Sequence, residues 1–567
     1  MGQFILALHA GHNSSAVIGD ETGVVYAVQE ERLRGEKNYW GFPSRALQSC
    51  LAHVGAKPTD LLAVAYGGRQ AFVRYHARDD VLEAYRRQAT PLGKLRQRVA
   101  MPVVLKLQPE YGRRDVARRL DEFGLSGVPF SPFDHHACHA ASAHYGLRRD
   151  PDEENLVLTA DGMGDQLCAS VRVMGAGGER ALGATHWANS LGAIYSWVTY
   201  LMGFVPLEHE YKLMGMAPYA SSSAANEVAD VFARYLGLSE SGLGFRRKTL
   251  KRTNDLGARI ERDLRGRRFD HICAGLQEFT ERLLSEWVAK SVRASGIGRV
   301  RAAGGVFMNV KANKRIGELE SVEEFEAFPS CGDETLPFGA YYLEAARRFG
   351  DVNVKPLRHL YLGDGIDAAK AETLLAGRGW KIERPPEMAR AIAELLAAGE
   401  PVARSVGPME FGARALGNRS ILADPKHQDV VRVINRMVKK RDFWMPFAPL
   451  LLSDRQERYL RNPKRHKSPY MMMTFDTRSE TLSDVIAAVH NADLTCRAQL
   501  LERGQNPEME AVLEAFEALT GRGVVLNTSF NLHGFPVVRD AADALHVFEN
   551  SGLEYLALGP YLVTKRG

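Results

Sequence analysis

Two histidines four residues apart, His135 and His139, are the side chains whose spacing most directly suggests chemistry. They lie in FDHHACHAASAHY, where an aspartate can cap a helix that small residues carry. On a helix both imidazoles emerge from one face, which gives half of a transition-metal site. Asp161 and Asp333, each in a polar loop, are candidates for the carboxylates that would complete it. The alternative is a partly buried helix whose histidines only form hydrogen bonds.

His12 and Lys37 are the reactive side chains nearest the first loop of the chain. An apolar strand (FILALHAG) runs into this polar loop, and a second strand follows as a hairpin. Imidazole suits general-base catalysis near neutral pH, and an ammonium group can stabilise developing negative charge. For His12 the alternative is a side chain that merely caps a turn.

Two later segments repeat this strand-and-turn pattern, at DGMGD (161–165) and at the Gly304-Gly305 pair. Glycine turns let backbone N–H groups approach phosphate, although a plain hairpin or a tight αβ turn would look alike. Three such loops fit a two-lobed, actin/Hsp70-like α/β fold with a nucleotide between its lobes. The predicted nucleotide-binding residues are Lys37, Asp161, Gly162, Gly304, Gly305 and Asn309.

Length and composition indicate a cytoplasmic protein of two or three domains. A chain of 567 residues exceeds a single core. Its 73 basic and 68 acidic residues give a net charge of +5, too balanced to require nucleic acid. We expect no signal peptide and no membrane span, and the 6 scattered cysteines indicate reduced thiols.

A second α/β domain is predicted over residues 366–567, after a first domain over 1–355. Its strongest segment, GPMEFGARALGNRSILADP, places two arginines around a glycine-containing loop, where guanidinium groups can bind phosphate oxygens in pairs. Small polar residues follow a later buried strand, at a position where α/β folds bind ligands. The residues predicted to bind the substrate and its phosphate group are Arg69, Arg414, Arg419, Lys439, Arg441, Arg497, Asn527, Ser529 and Asn531. For any single arginine, ordinary surface solvation is the alternative.

Several motifs, in this order, resemble the carbamoyltransferase family of antibiotic and nodulation-factor synthesis: GHNSSA, EERLRGEK, GFPSRAL, HHACHAASA, DGMGD, KLMGMAPY and GGVFMN. The metal-binding half is also similar to the proteins that place threonylcarbamoyl on tRNA. The resemblance implies Fe2+ or another divalent transition metal on His135, His139 and Asp333, with Asp161 as a further ligand. It also implies that the second half is a YrdC-like domain that makes carbamoyladenylate from ATP and carbamoyl phosphate.

The second half departs from the family pattern at several places. Pro408 and Met445 stand where the family usually has arginine, Asn491 stands where it has histidine, and Leu494 stands where it has glycine. Either this domain has lost carbamoyl phosphate activation, or neighbours such as Lys440 or Arg441 have replaced the missing cations.

The resemblance therefore predicts an ATP-dependent O-carbamoyltransferase that acts on a hydroxyl of a small natural product. His12 is the expected base and Lys37 its electrostatic partner. ATP, the transition metal and Mg2+ are the expected cofactors, and the partners are small molecules rather than a membrane or nucleic acid. Two alternatives stay open: a tRNA threonylcarbamoyl enzyme, for which basic runs at 86–119 and 246–268 are the only hint, and a non-catalytic nucleotide-binding homologue.

Overall fold

A computed structural model describes residues 3–69, 76–89, 112–439 and 441–565. The chain separates into two compact units. The first covers Met1–Glu30 and Asn38–Leu357, and the second covers Glu31–Lys37 and Arg358–Gly567. Within the described ranges, no helix has both the length and the apolar character needed to span a bilayer.

The first unit begins with a five-stranded sheet. In chain order its strands are Phe4–His9, Ser15–Asp20, Gly23–Gln29, Leu61–Gly67 and Phe130–Phe133. The first three form an antiparallel meander, and the last two run parallel to the first on its other side. The spatial order is therefore third, second, first, fourth, fifth.

A second five-stranded sheet in this unit has the same order. Its strands are Asn155–Gly164, Leu167–Gly175, Gly178–His186, Arg299–Ala303 and Glu324–Ala327. Again an antiparallel meander is extended by two parallel strands. This duplication confirms the predicted two-lobed, actin-like fold.

Helices cover these sheets and carry part of the site. They are Ser44–Val54, Arg78–Ala89, residues 112–121, His135–Leu147, Leu191–Leu201, Glu210–Met216, Ser222–Ala233, Gly257–Leu264, Phe269–Ser295, Val310–Gly317 and Leu336–Phe349. Short strand pairs join Gly11–His12 to Trp40–Gly41 and Leu236–Leu238 to Phe245–Arg247. As predicted, Asp134 caps the histidine helix, because its Oδ1 accepts a hydrogen bond from the N–H of Ala137.

The second unit is built on an eight-stranded mixed sheet. From edge to edge its strands are Lys381–Glu383, Tyr561–Thr564, Tyr555–Leu558, Val402–Ser405, Arg419–Ala423, Val524–Ser529, Ala448–Leu452 and Gln499–Leu501. A small sheet joins Leu460–Arg461, Phe475–Thr477 and Thr495–Cys496. Its helices are Ala368–Leu375, Met388–Ala397, Asp429–Ile434 with a π-helical continuation Asn435–Lys439, Gln456–Tyr459, Leu482–Val485, Pro507–Thr520 and Ala541–Glu549.

Both faces of this large sheet are buried, as the alternation of side chains in its strands requires. Ile421 packs with Phe548 in one core, and the next residue, Leu422, packs with Phe516 in the other. The predicted second α/β domain is therefore present.

One segment changes the predicted division of the chain. The sequence prediction assigned residues 31–37 to the first domain, but they belong to the second compact unit. Arg32, which is 4% exposed, donates from Nη2 to the carbonyl of Gly412 at 2.6 Å. The segment is thus anchored in the loop that precedes Arg414.

Candidate metal centre and anion pocket

The structure brings His135, His139, Asp161 and Asp333 together in the first unit, with one ligand atom of each within 4.8 Å of the others. The Nε2 atoms of His135 and His139 lie 3.4 and 3.1 Å from Asp161 Oδ2. The same nitrogens lie 3.6 and 3.8 Å from Asp333 Oδ1. Ligand atoms about 2.1 Å from one ion are roughly 3–4 Å apart, so this set of two imidazoles and two carboxylates fits a divalent transition metal.

The electrostatics of the group agree with a missing cation. Burial lowers the pKa of His135, but the hydrogen bond to Asp161 and the charge of Asp333 outweigh it and raise the pKa to about 9. Burial disfavours the charged Asp161 carboxylate, yet hydrogen bonds from His135 and His139 hold its pKa well below the usual range. The two carboxylates thus favour positive charge on the imidazoles, and a divalent cation bound to the same four residues would satisfy them in its place.

A constrained backbone bend positions the carboxylate of Asp333. The residues before Asp333, Ser330 and Cys331, have φ angles of 67° and 25°, a region that non-glycine residues rarely adopt. The carbonyl of Cys331 accepts a hydrogen bond from Gly304 N at 2.9 Å, which holds this bend against the Gly-Gly turn. Strain of this kind persists where the surrounding structure fixes it, often at functional sites.

Asp165 ties a third loop to the metal helix. Its Oδ2 accepts hydrogen bonds at 2.7 Å from the backbone N–H groups of both His135 and Arg69. Arg69 lies in the first unit, and its side chain is exposed.

The Gly-Gly turn lies beside Asp161, as the predicted nucleotide loop requires. Gly304 has a φ of 98°, and a Cβ there would overlap the backbone of Ala160. A Cβ on Gly305 would lie 3.3 Å from Asp161 Oδ1. Asn309, by contrast, is occupied: its Oδ1 caps the next helix through Ala312 N and its amide pairs with Gln277, so the structure does not support it as a nucleotide ligand.

His12 and Lys37 do not share a unit. His12 lies in a two-residue strand paired with Trp40–Gly41, and its ring meets Trp40 edge-on at 5.4 Å. Lys37 belongs to the second unit, where its charge contributes to lowering the pKa of Lys439. We therefore move Lys37 from the transfer site to the anion pocket.

The anion pocket of the second unit is formed by the end of the strand Val524–Ser529 and the residues that face it. Lys439 Nζ donates to Ser529 Oγ at 3.1 Å and to the side chain of Asn531. Arg441 Nη2 donates to Thr528 Oγ1 at 3.0 Å. Four of the predicted residues thus converge on one strand end.

Positive charges lie close together in this pocket. Burial and the charges of Arg441 and Lys37 lower the pKa of Lys439 well below its usual value. Burial and the charges of Arg414 and Arg441 likewise lower the pKa of Arg497. Arg497 Nε is buried without a hydrogen-bond partner among the described residues. A buried cluster of like charge is suited to bind an anion.

Two residues predicted to bind substrate instead support the pocket. Arg419 is fully buried, and its guanidinium donates to five backbone carbonyls, those of Asp364, Val406, Gly407, Asn418 and Arg539. Asn527, 2% exposed, donates to the carbonyl of Ala415 and to Gln499. Both side chains hold the loop of Arg414, so neither is free to bind phosphate.

Sequence reasoning missed the residues that hold this loop. Glu410 Oε1 accepts three backbone hydrogen bonds, from Leu416, Asn418 and Arg419. Gln499 donates to the carbonyl of Leu416 at 3.0 Å. The sequence hinted at the role of Glu410 only through its position in the segment GPMEFGARALGNRS. A side chain that accepts hydrogen bonds from a loop backbone leaves no characteristic spacing in the sequence.

Comparisons with known proteins show the family of the chain. Residues 5–341 match the model of the carbamoyltransferase N-terminus and residues 393–565 match that of the carbamoyltransferase C-terminus. Nodulation protein NolNO of Sinorhizobium fredii is 31% identical over 98% of this chain and 79% of its own. Nodulation protein NolO of Bradyrhizobium diazoefficiens is 31% identical over 76% of this chain and 79% of its own. An uncharacterized protein of Methanocaldococcus jannaschii, MJ1051, is 29% identical over 99% of both chains.

The fold and the matched halves define a two-unit transferase. The chain belongs to the carbamoyltransferase family and is an enzyme of that type, which confirms the resemblance seen in its motifs. Among solved structures, HypF of T. kodakarensis aligns over 62% of this chain and 49% of its own at 15% identity, with a TM-score of 0.34, a likeness too distant to bear on function.

Proposed function

We propose that this carbamoyltransferase uses ATP and carbamoyl phosphate to carbamoylate a hydroxyl group of a small natural product. The observation that carries the proposal is a cluster of positive charge in the second unit, in which Lys439 and Arg497 are both buried and both feel the charge of Arg441. Substrates that carry several phosphate charges would neutralise it, as phosphoryl transfer requires.

In the second unit, carbamoyl phosphate would lose phosphate to water and leave carbamate. A carbamate oxygen would then attack the α-phosphorus of ATP, forming carbamoyladenylate and releasing pyrophosphate. Arg414, Lys439 and Arg497 would hold the phosphate oxygens, while Arg441, fixed to Thr528, would add charge. Lys37 would complete the same pocket from the inserted segment.

In the first unit, His12 would accept the proton of the acceptor hydroxyl as its oxygen attacks the carbamoyl carbon and AMP leaves. The turns at Gly162 and Gly304-Gly305 would receive the nucleotide. His135, His139, Asp161 and Asp333 would hold a divalent transition metal, Fe2+ being the ion that the family resemblance implies, and the bound ion would polarise the carbonyl.

A tRNA-modifying function is less well supported. Six arginines of the basic run at 246–268 form ion pairs with acidic neighbours, which reduces the charge that this run offers to a polyanion: Arg246, Arg252, Arg259, Arg262, Arg267 and Arg268. Most of the other basic run, at 86–119, lies outside the described part of the chain, because residues 90–111 are not described. Lys440, a candidate replacement for the missing cations, also lies outside it.

A non-catalytic homologue is also disfavoured. Pro408 and Met445 remove two family cations, but Arg441 lies against the same strand end and retains its charge near Lys439 and Arg497. Arg441 is therefore the proposed replacement for the cations that the family has at positions 408 and 445.

Pyrophosphate release from ATP, dependent on carbamoyl phosphate, tests the proposal. Wild-type protein should release it, and Arg414→Ala should lower the rate at least about 100-fold, because fixed positive charge stabilises the transferring group. Arg432→Ala, at a 75% exposed side chain of the same unit, is the matched control and should retain the rate. No release from the wild type, or equal release from both variants, would contradict the proposal.

A further inference from the structure

A third histidine, His9, lies close to the metal group without belonging to it. It ends the first strand of the first sheet and is 5% exposed. Its Nδ1 lies 2.9 Å from the carbonyl oxygen of Gly67, so Nδ1 carries the proton and donates. Nε2 is then a bare lone pair, buried and without a hydrogen-bond partner among the described residues. A buried acceptor with nothing to accept is costly unless a ligand supplies the donor.

Two contacts tie His9 to the loop that carries Asp333. His9 pairs in the ladder with Ser15, whose Oγ donates to the carbonyl of Glu334 at 2.7 Å. Glu334 is the residue directly after Asp333. The charges of Asp333, His135 and His139 all act on the His9 ring, although burial is the main effect and lowers its pKa. His9 therefore favours the neutral form and lies close enough to the metal group to feel its charges.

Gly11 leaves room on the Nε2 side. A Cβ at Gly11, which has a φ of 137°, would lie 3.3 Å from His9 Nε2. Glycine thus removes the side chain that would otherwise cover the lone pair. His9 is not among the four residues whose ligand atoms lie within 4.8 Å of one another, so it is not arranged as a direct ligand.

We propose that His9 is an outer-sphere residue of the metal group, whose Nε2 accepts a hydrogen bond from the water or substrate group that completes the coordination of the ion. This inference rests on the metal site of the proposed function. Partners of this kind hold the coordinated molecule in place, and their loss weakens metal binding about 10–100-fold.

Two substitutions separate this role from a purely structural one. In His9→Asn the amide nitrogen can replace Nδ1 and donate to Gly67, but nothing replaces Nε2. In His9→Gln the longer side chain places an acceptor near the Nε2 position and gives up the Gly67 bond. The probe is Co2+, whose dissociation constant is measured by competition with a chromophoric chelator, together with its visible absorption spectrum. Thermal unfolding of each metal-free variant shows whether the fold is retained.

His9→Asn should bind Co2+ about 10–100-fold more weakly than the wild type and alter the spectrum. His9→Gln should bind within about threefold of the wild type. Wild-type affinity in His9→Asn, or an equal loss in both variants, would overturn the outer-sphere role while leaving the metal site intact. No Co2+ binding by the wild type, or unchanged binding in His135→Ala, would instead overturn the metal site and His9 with it.

Discussion

At the scale of single residues, the metal group depends on a glycine as much as on its ligands. The i,i+4 spacing of His135 and His139 places both imidazoles on one helix face. Gly164, at the end of the strand that carries Asp161, lies directly against the His135 ring. An added Cβ would overlap the ring, and the ring has no space to move because His135 is 5% exposed.

Gly164→Ala should therefore displace His135 and reduce bound metal from about one ion per chain to a small fraction of that, since the remaining ligands no longer match the ion's geometry. Gly177→Ala is the control and should keep its metal. Gly177 lies in the next hairpin of the same sheet, where an added Cβ meets nothing within 4 Å. Elemental analysis of the purified proteins measures both. Full metal content in folded Gly164→Ala would show that His135 is not a ligand.

Lys439 gives a pH-dependent prediction at the same scale. Burial and the charges of Arg441 and Lys37 lower its pKa, so the pocket stabilises the charged amine less than water does. A bound phosphate favours the charged form and raises that pKa again. Between the two pKa values, phosphate binding should take up about one proton, and affinity should fall as the pH rises through that window.

Calorimetry of phosphate binding in buffers of different ionisation enthalpy measures the proton uptake. Lys439→Met should bind without it, whereas Lys426→Met, at an exposed lysine of the same unit, should behave as the wild type. Equal proton uptake in Lys439→Met would place the titrating group elsewhere.

At the scale of elements, loops rather than helices and strands limit what can be predicted. The capped helix of His135 and the strand–turn repeats were predictable, because capping residues and apolar runs are local signals. The backbone bend at Ser330 and Cys331 that aims Asp333 was not, because neither residue type favours a positive φ. The role of Arg419 was also hidden, since the same residue type can bind phosphate or satisfy buried carbonyls.

A second bend lies in the second unit at Leu494, whose φ is 56° and whose side chain is 38% exposed. The family usually has glycine at this position, and a non-glycine residue in the left-handed region costs about 1–2 kcal/mol. The bend is held by a hydrogen bond from Leu494 N to the carbonyl of His490 at 2.8 Å and by one from Thr477 to the carbonyl of Leu494.

Leu494→Gly should raise the unfolding free energy of the second unit by about 0.5–1 kcal/mol, because relief of strain is partly offset by the greater freedom of the unfolded chain. Leu494→Ala keeps the Cβ and is the control that should show no gain. Urea unfolding followed by the fluorescence of the protein compares them. Equal stabilisation by alanine would mean that the exposed apolar side chain, not the backbone, carries the cost.

At the scale of the whole molecule, the chain makes two units by crossing between them more than once. Residues 31–37 join the second unit before the chain completes the first. The sequence prediction assigned Lys37 to the first domain because it follows His12 closely in the chain. Closeness in sequence cannot reveal such an insertion. In the structure, Arg32 donates a hydrogen bond to Gly412, and the charge of Lys37 lowers the pKa of Lys439.

We propose that the two units perform separate half-reactions. The second unit would form the adenylate, and the first would transfer the carbamoyl group. Carbamoyladenylate is a reactive mixed anhydride, so its formation and its use can be measured separately. The variants His12→Ala and Arg414→Ala each remove one proposed step.

The most direct test measures pyrophosphate and carbamoylated product in parallel, with ATP, carbamoyl phosphate and a pool of hydroxylated metabolites analysed by mass spectrometry. His12→Ala should still release pyrophosphate yet give at least about 100-fold less product, because a general base contributes about 10²–10⁴-fold. Arg414→Ala should release pyrophosphate at least about 100-fold more slowly, but should transfer normally when supplied with synthetic carbamoyladenylate. Loss of pyrophosphate release together with product in His12→Ala, or failure of Arg414→Ala to use the supplied adenylate, would contradict the division of labour between the two units.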